Sequence, residues 1–351
     1  MAASEQNMFT TTATTDYGYY DDDYLDEVCN KTKVAQFGAI FTPVFFSIVV
    51  ILSLFGNILV MVILARYENL KSLTNAFILN LAVSDLIFTV GLPFWAYYHM
   101  YGWTLGEPAC KIVSFVFYVG FYSSGILLIM MTVHRYVAVI RPLSDFVSPR
   151  GFYSILASVA IWAVSAIAAT PAFIFSKVLD QHYCGYENSY GKLWGIYQQN
   201  ILFVVTSLVF IFCYSQILCR LLRPTAQRRK HKTLKLIFTL VLVFFLGWAP
   251  YNIVIFLMSL SFQPPPPADS SALPAYCETY SKPLDYAFYI SRLFAFSHCC
   301  LNPVFYVFVG VKFKNHLKRM LKGWSQSSNS LRSRNSRLTI TSVASGEEFS
   351  M

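Results

Sequence analysis

Charged side chains are scarce in this chain. Asp, Glu, Lys and Arg make up 13% of its 351 residues, whereas hydrophobic residues make up 56%. Soluble proteins carry about 25% charged residues, so most of the surface is not built to face water. The net charge of +9 does not indicate a nucleic-acid-binding protein, because the acidic residues gather in residues 1–37 and the basic ones lie in short loops and near the end.

Several sequence signals are also missing. Residues 1–37 contain no apolar stretch of signal-peptide length, so we expect the first membrane helix to direct insertion. No Cys-a-a-X ending is present, so prenylation is not expected. Metal-ligand spacings, nucleophile elbows and phosphate-binding glycine loops are absent, which argues against an enzyme. A transporter or channel stays an alternative from another class, although no internal repeat or paired broken helices support it.

Long apolar runs dominate the rest of the chain. A helix of about 20 residues crosses a bilayer, and only a helix satisfies its own backbone there. We therefore predict an all-α membrane protein with a seven-transmembrane helix bundle at 38–309, followed by a short amphipathic eighth helix at 311–322 and a Ser/Thr-rich cytoplasmic tail at 323–351. The predicted spans are 38–65, 73–98, 108–140, 152–175, 195–222, 233–261 and 283–309.

The basic residues orient this bundle. If the acidic, tyrosine-rich segment 1–37 lies outside the cell, most of the 27 Lys and Arg residues fall on the cytoplasmic side, as the positive-inside rule requires. The sequon at Asn30 then lies outside, although a single sequon also arises by chance. Four cysteines fall at extracellular positions, where disulfides persist: Cys29, Cys110, Cys184 and Cys277.

Ionisable and polar residues inside the spans are expensive and indicate function. In chain order, the sequence contains Gly56-Asn57, Leu81-Ala-Val-Ser-Asp85, Arg135 at the foot of span three, Trp162, Trp248-Ala-Pro250 and Asn302-Pro303-Val-Phe-Tyr306. Six such motifs in order on seven spans resemble the rhodopsin-like G-protein-coupled receptors.

Further residues resemble the chemokine receptors within that family. They are the acidic N-terminal segment, Leu92-Pro93-Phe94-Trp95, Trp103 before Cys110, the second pair of outer cysteines, and His298. His134, Arg292 and Ala295-Phe-Ser-His-Cys-Cys300 resemble the XC-type branch, the receptors for lymphotactin. Three positions depart from the pattern and put the local bending of the helices in doubt. The usual proline of span five is absent, with Thr206 near its place, Gly247 stands where a Cys is usual, and Gly91 stands where a Thr is usual.

The resemblance implies a plasma-membrane receptor that binds a basic, lymphotactin-like chemokine and activates a heterotrimeric G protein of Gi type, driving calcium signalling and chemotaxis. Arrestin and receptor kinases would act on the Ser/Thr-rich tail. A non-signalling chemokine scavenger is the alternative with the same fold, which His134 makes plausible and which Arg135 and Tyr306 disfavour.

The resemblance also implies a ligand site and two disulfides. The pairings implied are Cys110 with Cys184 and Cys29 with Cys277. Tyrosines among acidic residues outside the cell are candidates for sulfation, and this polyanion suits a basic ligand; the alternative is a merely disordered tail. The implied ligand-binding residues are Tyr17, Tyr19, Tyr20, Asp21, Asp22, Asp23, Tyr24, Trp95, Trp103, Phe117, Tyr118, Tyr251, Tyr289 and Arg292.

Asp85 near mid-bilayer needs a partner. The resemblance implies a structural sodium ion held by Asp85, Ser124, His298 and Asn302, whose oxygen ligands suit a hard cation. The alternative is a hydrogen-bonded or protonated Asp85 in a water network with Asn57 and Asn302. We expect no other cofactor.

The inner half of the bundle carries the implied switch, with Arg135 meeting the G protein. His134 cannot form the ion pair that an Asp makes there in most relatives. We therefore expect Arg135 to be held more weakly in the resting state, by hydrogen bonds such as one from Tyr214. The alternative is that His134 merely faces lipid headgroups or solvent. Basic residues at 228–235 would contact anionic lipids or the G protein. The implied switch residues are His134, Arg135, Tyr136, Tyr214, Trp248, Pro250, Asn302, Pro303 and Tyr306.

Overall fold

The computed structural model describes residues 29–140, 151–179, 183–221, 230–260, 273–309, 313–320 and 322. Long helices fill most of these ranges. They are α1 Thr32–Tyr67, α2 Leu73–Tyr101, α3 Glu107–Ile140, α4 Gly151–Phe175, α5 Ser189–Leu221, α6 Lys230–Leu260, α7 Lys282–Phe296 and α8 His298–Val309. A short helix, Leu273–Tyr276, and a π-helical turn, Cys277–Ser281, lead into α7.

The helices form a closed ring of seven spans. Within the described residues, α1 to α6 are each long and apolar enough to cross a membrane, and α7 with α8 makes the seventh span, about 40 Å long at 1.5 Å per residue. Consecutive helices pack together, α3 also packs against α5, and α8 returns to α1. Large apolar side chains point outward, with Phe55 and Ile167 each 72% exposed, as expected where lipid replaces water.

The seventh span is broken at Ser297, which the sequence did not indicate. The Ser297 amide donates to the carbonyls of Leu293 and Phe294 at 3.1 and 3.2 Å, so the helix tightens before α8 begins. The prediction of one continuous helix over 283–309 is therefore corrected to two helices. The two halves still run in sequence through the bundle and keep the predicted number of spans.

Pro303 explains why α1 and α8 pack so closely. Proline has no amide N–H, so the Cys299 carbonyl one turn earlier lacks its helical donor. Asn57 Nδ2 and Ser53 Oγ of α1 donate to that carbonyl at 2.9 and 3.3 Å. A Cβ on Gly56 would lie 2.8 Å from the Pro303 Cβ, so only glycine permits this approach.

A two-stranded hairpin follows α4 and was not predicted. Strands β1 (Ser176–Leu179) and β2 (Tyr183–Tyr186) pair antiparallel, with Val178 opposite Cys184. Cys184 is bonded to Cys110 at the top of α3, and Cys29 is bonded to Cys277, the pairings that the resemblance implies. A hydrogen bond to Glu187 raises the pKa of the Lys177 ammonium, which lies 2.6 Å from that carboxylate.

The helix at 313–320 corresponds to the predicted amphipathic eighth helix and is separate from α8. It has one apolar face and one basic face. Phe313 and Leu317 are half-buried and Met320 is buried, whereas Lys318 and Arg319 are exposed. Phe313 packs against the core shared by α1, α2 and α3. Lys318 faces outward and the Arg319 guanidinium lies over the Tyr67 ring at 5.5 Å, so one face of this helix is basic, as in an interfacial helix.

Replacing Asn57 by alanine should destabilise the bundle by about 1–2 kcal/mol, because the Cys299 carbonyl loses its nearest donor. Adding Pro303→Ala should reduce that loss, since residue 303 regains an amide that bonds the same carbonyl. The measurement is the unfolding free energy of the purified receptor in detergent, as a double-mutant cycle.

Ser47→Ala is the control, because its hydroxyl bonds only the Pro43 carbonyl of its own helix. Additive effects of Asn57→Ala and Pro303→Ala would contradict this account of the α1–α8 contact.

Candidate functional site

A polar cluster surrounds Asp85 in the middle of the bundle. The Asp85 side chain is fully buried, and each carboxylate oxygen accepts one hydrogen bond. Ser124 Oγ of α3 donates to Oδ1 at 3.2 Å, and Asn302 Nδ2 of α8 donates to Oδ2 at 2.8 Å. The carboxylate therefore ties α2 to α3 and α8.

Hydroxyl groups extend this cluster to α1. Thr89 Oγ1 donates to the Asp85 carbonyl at 2.6 Å, and the Thr89 and Ser53 hydroxyls meet at 2.6 Å. Asn57 Nδ2 reaches Ser53 Oγ at 3.1 Å. Asn57 thus joins the network through Ser53 and the Cys299 carbonyl.

The hydrogen bonding of His298 fixes its tautomer. His298 Nδ1 lies 2.9 Å from the Ala295 carbonyl, and a carbonyl only accepts, so Nδ1 carries a proton. In a neutral ring, Nε2 is then a bare acceptor. Nε2 is buried without a hydrogen-bond partner, 3.9 Å from Asp85 Oδ1. A cation, or a water that donates to both acceptors, would have to bridge them from one side.

This donor set fits the sodium ion that the family implies. The Asp85 carboxylate supplies the negative charge, and Ser124 Oγ lies beside it. Asn302 turns its amide nitrogen toward Asp85, and exchange of its oxygen and nitrogen would present an acceptor instead. The same contacts fit the alternative, a hydrogen-bonded Asp85 linked to Asn302.

A small, mainly apolar cavity with a few polar side chains lies beside this cluster, between α3, α5 and α6. Its lining includes Ser124, Gln199, Trp248, Asn252 and His298. Asn252 donates to the Trp248 carbonyl at 2.9 Å, and its own Oδ1 is buried without a partner. Two unsatisfied acceptors, Asn252 Oδ1 and His298 Nε2, thus border one space, as expected of a hydrated site.

Thr206 lies in α5, near the position where the resemblance leads us to expect a proline. Its hydroxyl donates to the Leu202 carbonyl at 2.7 Å. Hydroxyl bonds to the i−4 carbonyl compete with the helical bond and bend helices. Thr206 therefore offers α5 a local distortion without proline.

Aromatic rings connect this cluster to the outer half of the bundle. Trp248 lies against His298, Phe121 and Tyr251, with ring centroids 5.0, 5.0 and 6.1 Å apart. The Tyr251 hydroxyl donates to Gln199 Oε1 at 3.2 Å. A displacement of the Trp248 ring would therefore change its contact with His298. A displacement of the Tyr251 ring would act on His298 through Trp248.

The expected pocket residues fall into two groups. Trp95, Tyr118, Tyr289 and Arg292 are half-buried, and the Trp95 Nε1 atom is buried without a partner. Phe117 and Trp103 are buried; Trp103 packs on the Cys110–Cys184 bridge and donates from Nε1 to the Gly106 carbonyl at 2.9 Å. Trp103 thus supports the outer disulfide and does not line an open pocket.

Sequence reasoning missed His99 as a partner of Arg292. Arg292 Nη2 donates to His99 Nε2 at 2.6 Å, and the guanidinium lies 5.0 Å from the Phe288 ring and 5.3 Å from the Tyr289 ring. His99 lies one helical turn beyond Trp95, and that i, i+4 spacing was the available signal. Gln199 carried no comparable signal.

At the inner end, His134 is half-buried and its ring stands edge-on to Phe77 at 6.4 Å. The Tyr214 and Thr132 hydroxyls meet at 3.2 Å, and Tyr136 packs near Phe212. Pro250 is exposed on α6, which continues through it as unbroken helix. Pro303 is buried within α8.

Some predicted residues lie outside the described part of the chain. They are Tyr17, Tyr19, Tyr20, Asp21, Asp22, Asp23, Tyr24, residues 228–229 of the basic segment, and the tail from 323. The backbone of Tyr306 lies in α8, and its side chain is not described.

Comparison with known proteins places this geometry in a family. Residues 56–306 match the family described as 7 transmembrane receptor (rhodopsin family). The chain is 41% identical to human Chemokine XC receptor 1 over 88% of each sequence, and 42% identical to the mouse receptor over 87% of this chain and 89% of that receptor. It is 36% identical to human C-C chemokine receptor type 4 over 87% of this chain and 84% of that receptor. These relatives are multi-pass plasma-membrane receptors and not enzymes, and the chain belongs to their family, the chemokine receptors of the rhodopsin-like class.

Proposed function

We propose that this chemokine receptor binds lymphotactin and couples to a heterotrimeric G protein of Gi type. The two XC receptors are 41% and 42% identical to the chain, and the C-C receptor type 4 is 36% identical. The observation that supports signalling is the continuous path of contacts from Tyr251 through Trp248 and His298 to Asp85 and Asn302.

The proposed mechanism uses this path as a two-state element. The ligand presses on the aromatic residues above Trp248, and the Trp248 ring shifts against His298. His298 moves relative to Asp85, so the bonds from Ser124 and Asn302 rearrange and α8 shifts against α3. Coupling of this kind requires two discrete arrangements of these residues. The ligand and the G protein must both bind one arrangement more tightly than the other. Pro250 offers a hinge in α6, because it removes one backbone bond.

A scavenger that binds chemokine without signalling is the second candidate, favoured by the absence of a carboxylate at His134. Such a receptor would bind lymphotactin and carry it inward without activating a G protein. Phosphorylation of serines and threonines in the tail by receptor kinases, followed by arrestin binding, would serve either candidate.

The decisive experiment is a screen of purified chemokines, lymphotactin included, on cells expressing the chain. We expect lymphotactin to release calcium and lower cAMP, and pertussis toxin to block both responses if the coupling is to Gi. Untransfected cells are the control. Binding and uptake of lymphotactin without either response would identify a scavenger, and a response only to other chemokines would refute the ligand assignment.

His134 should make the resting state easier to leave. A carboxylate at this position would accept a charge-assisted hydrogen bond from Arg135, which a neutral imidazole does not replace. We expect His134→Asp to lower basal nucleotide exchange on the G protein by about two- to tenfold, measured at matched surface expression. His134→Asn is the control, because Asn has the shape of Asp without its charge. Equal basal activity in the two variants would contradict the role proposed for a carboxylate at this position.

A sodium ion at Asp85 would neutralise the buried carboxylate and favour the resting state. We expect sodium chloride to raise the melting temperature of the purified receptor by a few degrees over potassium chloride at equal ionic strength. Asp85→Asn should abolish the difference, and the control Ser84→Ala should keep it, because Ser84 bonds Ser123 and the Gly120 carbonyl instead. Identical melting in both salts would favour the hydrogen-bonded alternative.

Two extracellular modifications complete the proposal. Asn30 is exposed, and the Thr32 hydroxyl donates to its Oδ1 at 2.9 Å, so the sequon is accessible for glycosylation. Sulfation of the N-terminal tyrosines would add negative charge for a basic chemokine. The mass of the receptor before and after glycosidase and sulfatase treatment measures both.

A further inference from the structure

The charge of Arg292 is not neutralised by a carboxylate in the described part of the chain. Its guanidinium bonds the neutral acceptor His99 Nε2 at 2.6 Å, and its Nε atom is buried without a hydrogen-bond partner. Two acids at or just before the start of α7 have their own cations. Lys31 lies 2.9 Å from Asp285, and Lys282 bonds Glu278.

Several groups hold the guanidinium in place without cancelling its charge. The rings of Phe288 and Tyr289 lie 5.0 and 5.3 Å from its central carbon, where cation–π attraction contributes on the order of 1 kcal/mol. His99 is itself fixed beside Tyr289, with ring centroids 5.7 Å apart. Because arginine has only donors, His99 Nε2 must be the acceptor and the imidazole must be neutral.

This arrangement leaves one guanidinium donor, Nε, without an acceptor among the described residues. A cation buried in a bundle is costly unless an opposite charge or a polar cavity compensates it. The side chains in contact with Arg292 are a neutral imidazole and two aromatic rings, none of which carries a negative charge. A carboxylate would accept two parallel bonds from the guanidinium.

We propose that the surroundings of Arg292, deep in the outer half of the bundle, form an anion subsite, and that the part of the chemokine that enters the bundle presents a carboxylate to Arg292. This inference rests on the proposed function and sharpens it. The ligand would then be basic over the surface that meets the acidic N-terminal segment and acidic at the point that enters the bundle. Such opposite polarities at two sites would reject chemokines whose inserted segment is cationic.

The first test measures the lymphotactin concentration that gives a half-maximal calcium response. We expect Arg292→Gln to raise it on the order of 30-fold or more, because truncating one partner of a desolvated charge pair weakens binding strongly. Arg292→Lys should retain part of the potency. Lys282→Gln removes a positive charge from the same helix and should stay within about threefold of the parent, since that lysine is already paired.

The second test locates the partner on the ligand. Each acidic residue of lymphotactin is changed in turn to its amide and assayed on the parent receptor and on Arg292→Gln. One of these ligands should lose potency on the parent by a similar factor and lose nothing further on Arg292→Gln. If every neutralised ligand acts equally on the parent, the carboxylate proposal is overturned, even where the Arg292 variants fold poorly.

A third measurement does not depend on lymphotactin being the ligand. The probe is inorganic sulfate, added to the purified receptor at constant sodium concentration and ionic strength against chloride. Sulfate should raise the melting temperature of the parent and of Lys282→Gln more than that of Arg292→Gln. Equal stabilisation of all three proteins would refute the anion subsite, whereas a chemokine screen without response would refute only the ligand assignment.

Discussion

Satisfaction of buried polar groups without water is the constraint on which this structure depends. In hydrocarbon, each unpaired donor or acceptor costs several kcal/mol, yet this bundle buries Asp85, Asn57, Asn302 and His298 at its centre. The first three share one network, in which each side chain satisfies a group on another helix. The seven spans are therefore held in register by directional bonds as well as by packing.

Pro303 shows how a defect in one helix becomes a contact between two. The missing amide leaves the Cys299 carbonyl open, and α1 supplies the donors from Asn57 and Ser53. Gly56 lets the helices come close enough for this exchange. A helix end that depends on a neighbour's side chains is well placed to move when that neighbour moves, which suits a receptor.

Two of the incompletely satisfied polar sites in the described part of the bundle have opposite sign. Around Asp85, two acceptors lie near one another, and a cation or a water would have to bridge them from one side. Around Arg292, one donor remains without an acceptor within the described residues. The rings of Trp248 and Tyr251 lie between the two sites.

The sequence by itself determined the membrane class, the number of spans, their orientation and the family. Apolar runs of the length of a bilayer and the positions of Lys and Arg carry that information locally, and the motifs around Asn57, Asp85, Trp248 and Pro303 carry the family. Only the tertiary structure decided the break at Ser297, the hairpin that holds Cys184, the burial of Trp103 and the meeting of His99 with Arg292. Each of these depends on which groups lie together across segments that are far apart in the chain, and the spacing within one helix shows at most which residues share a face.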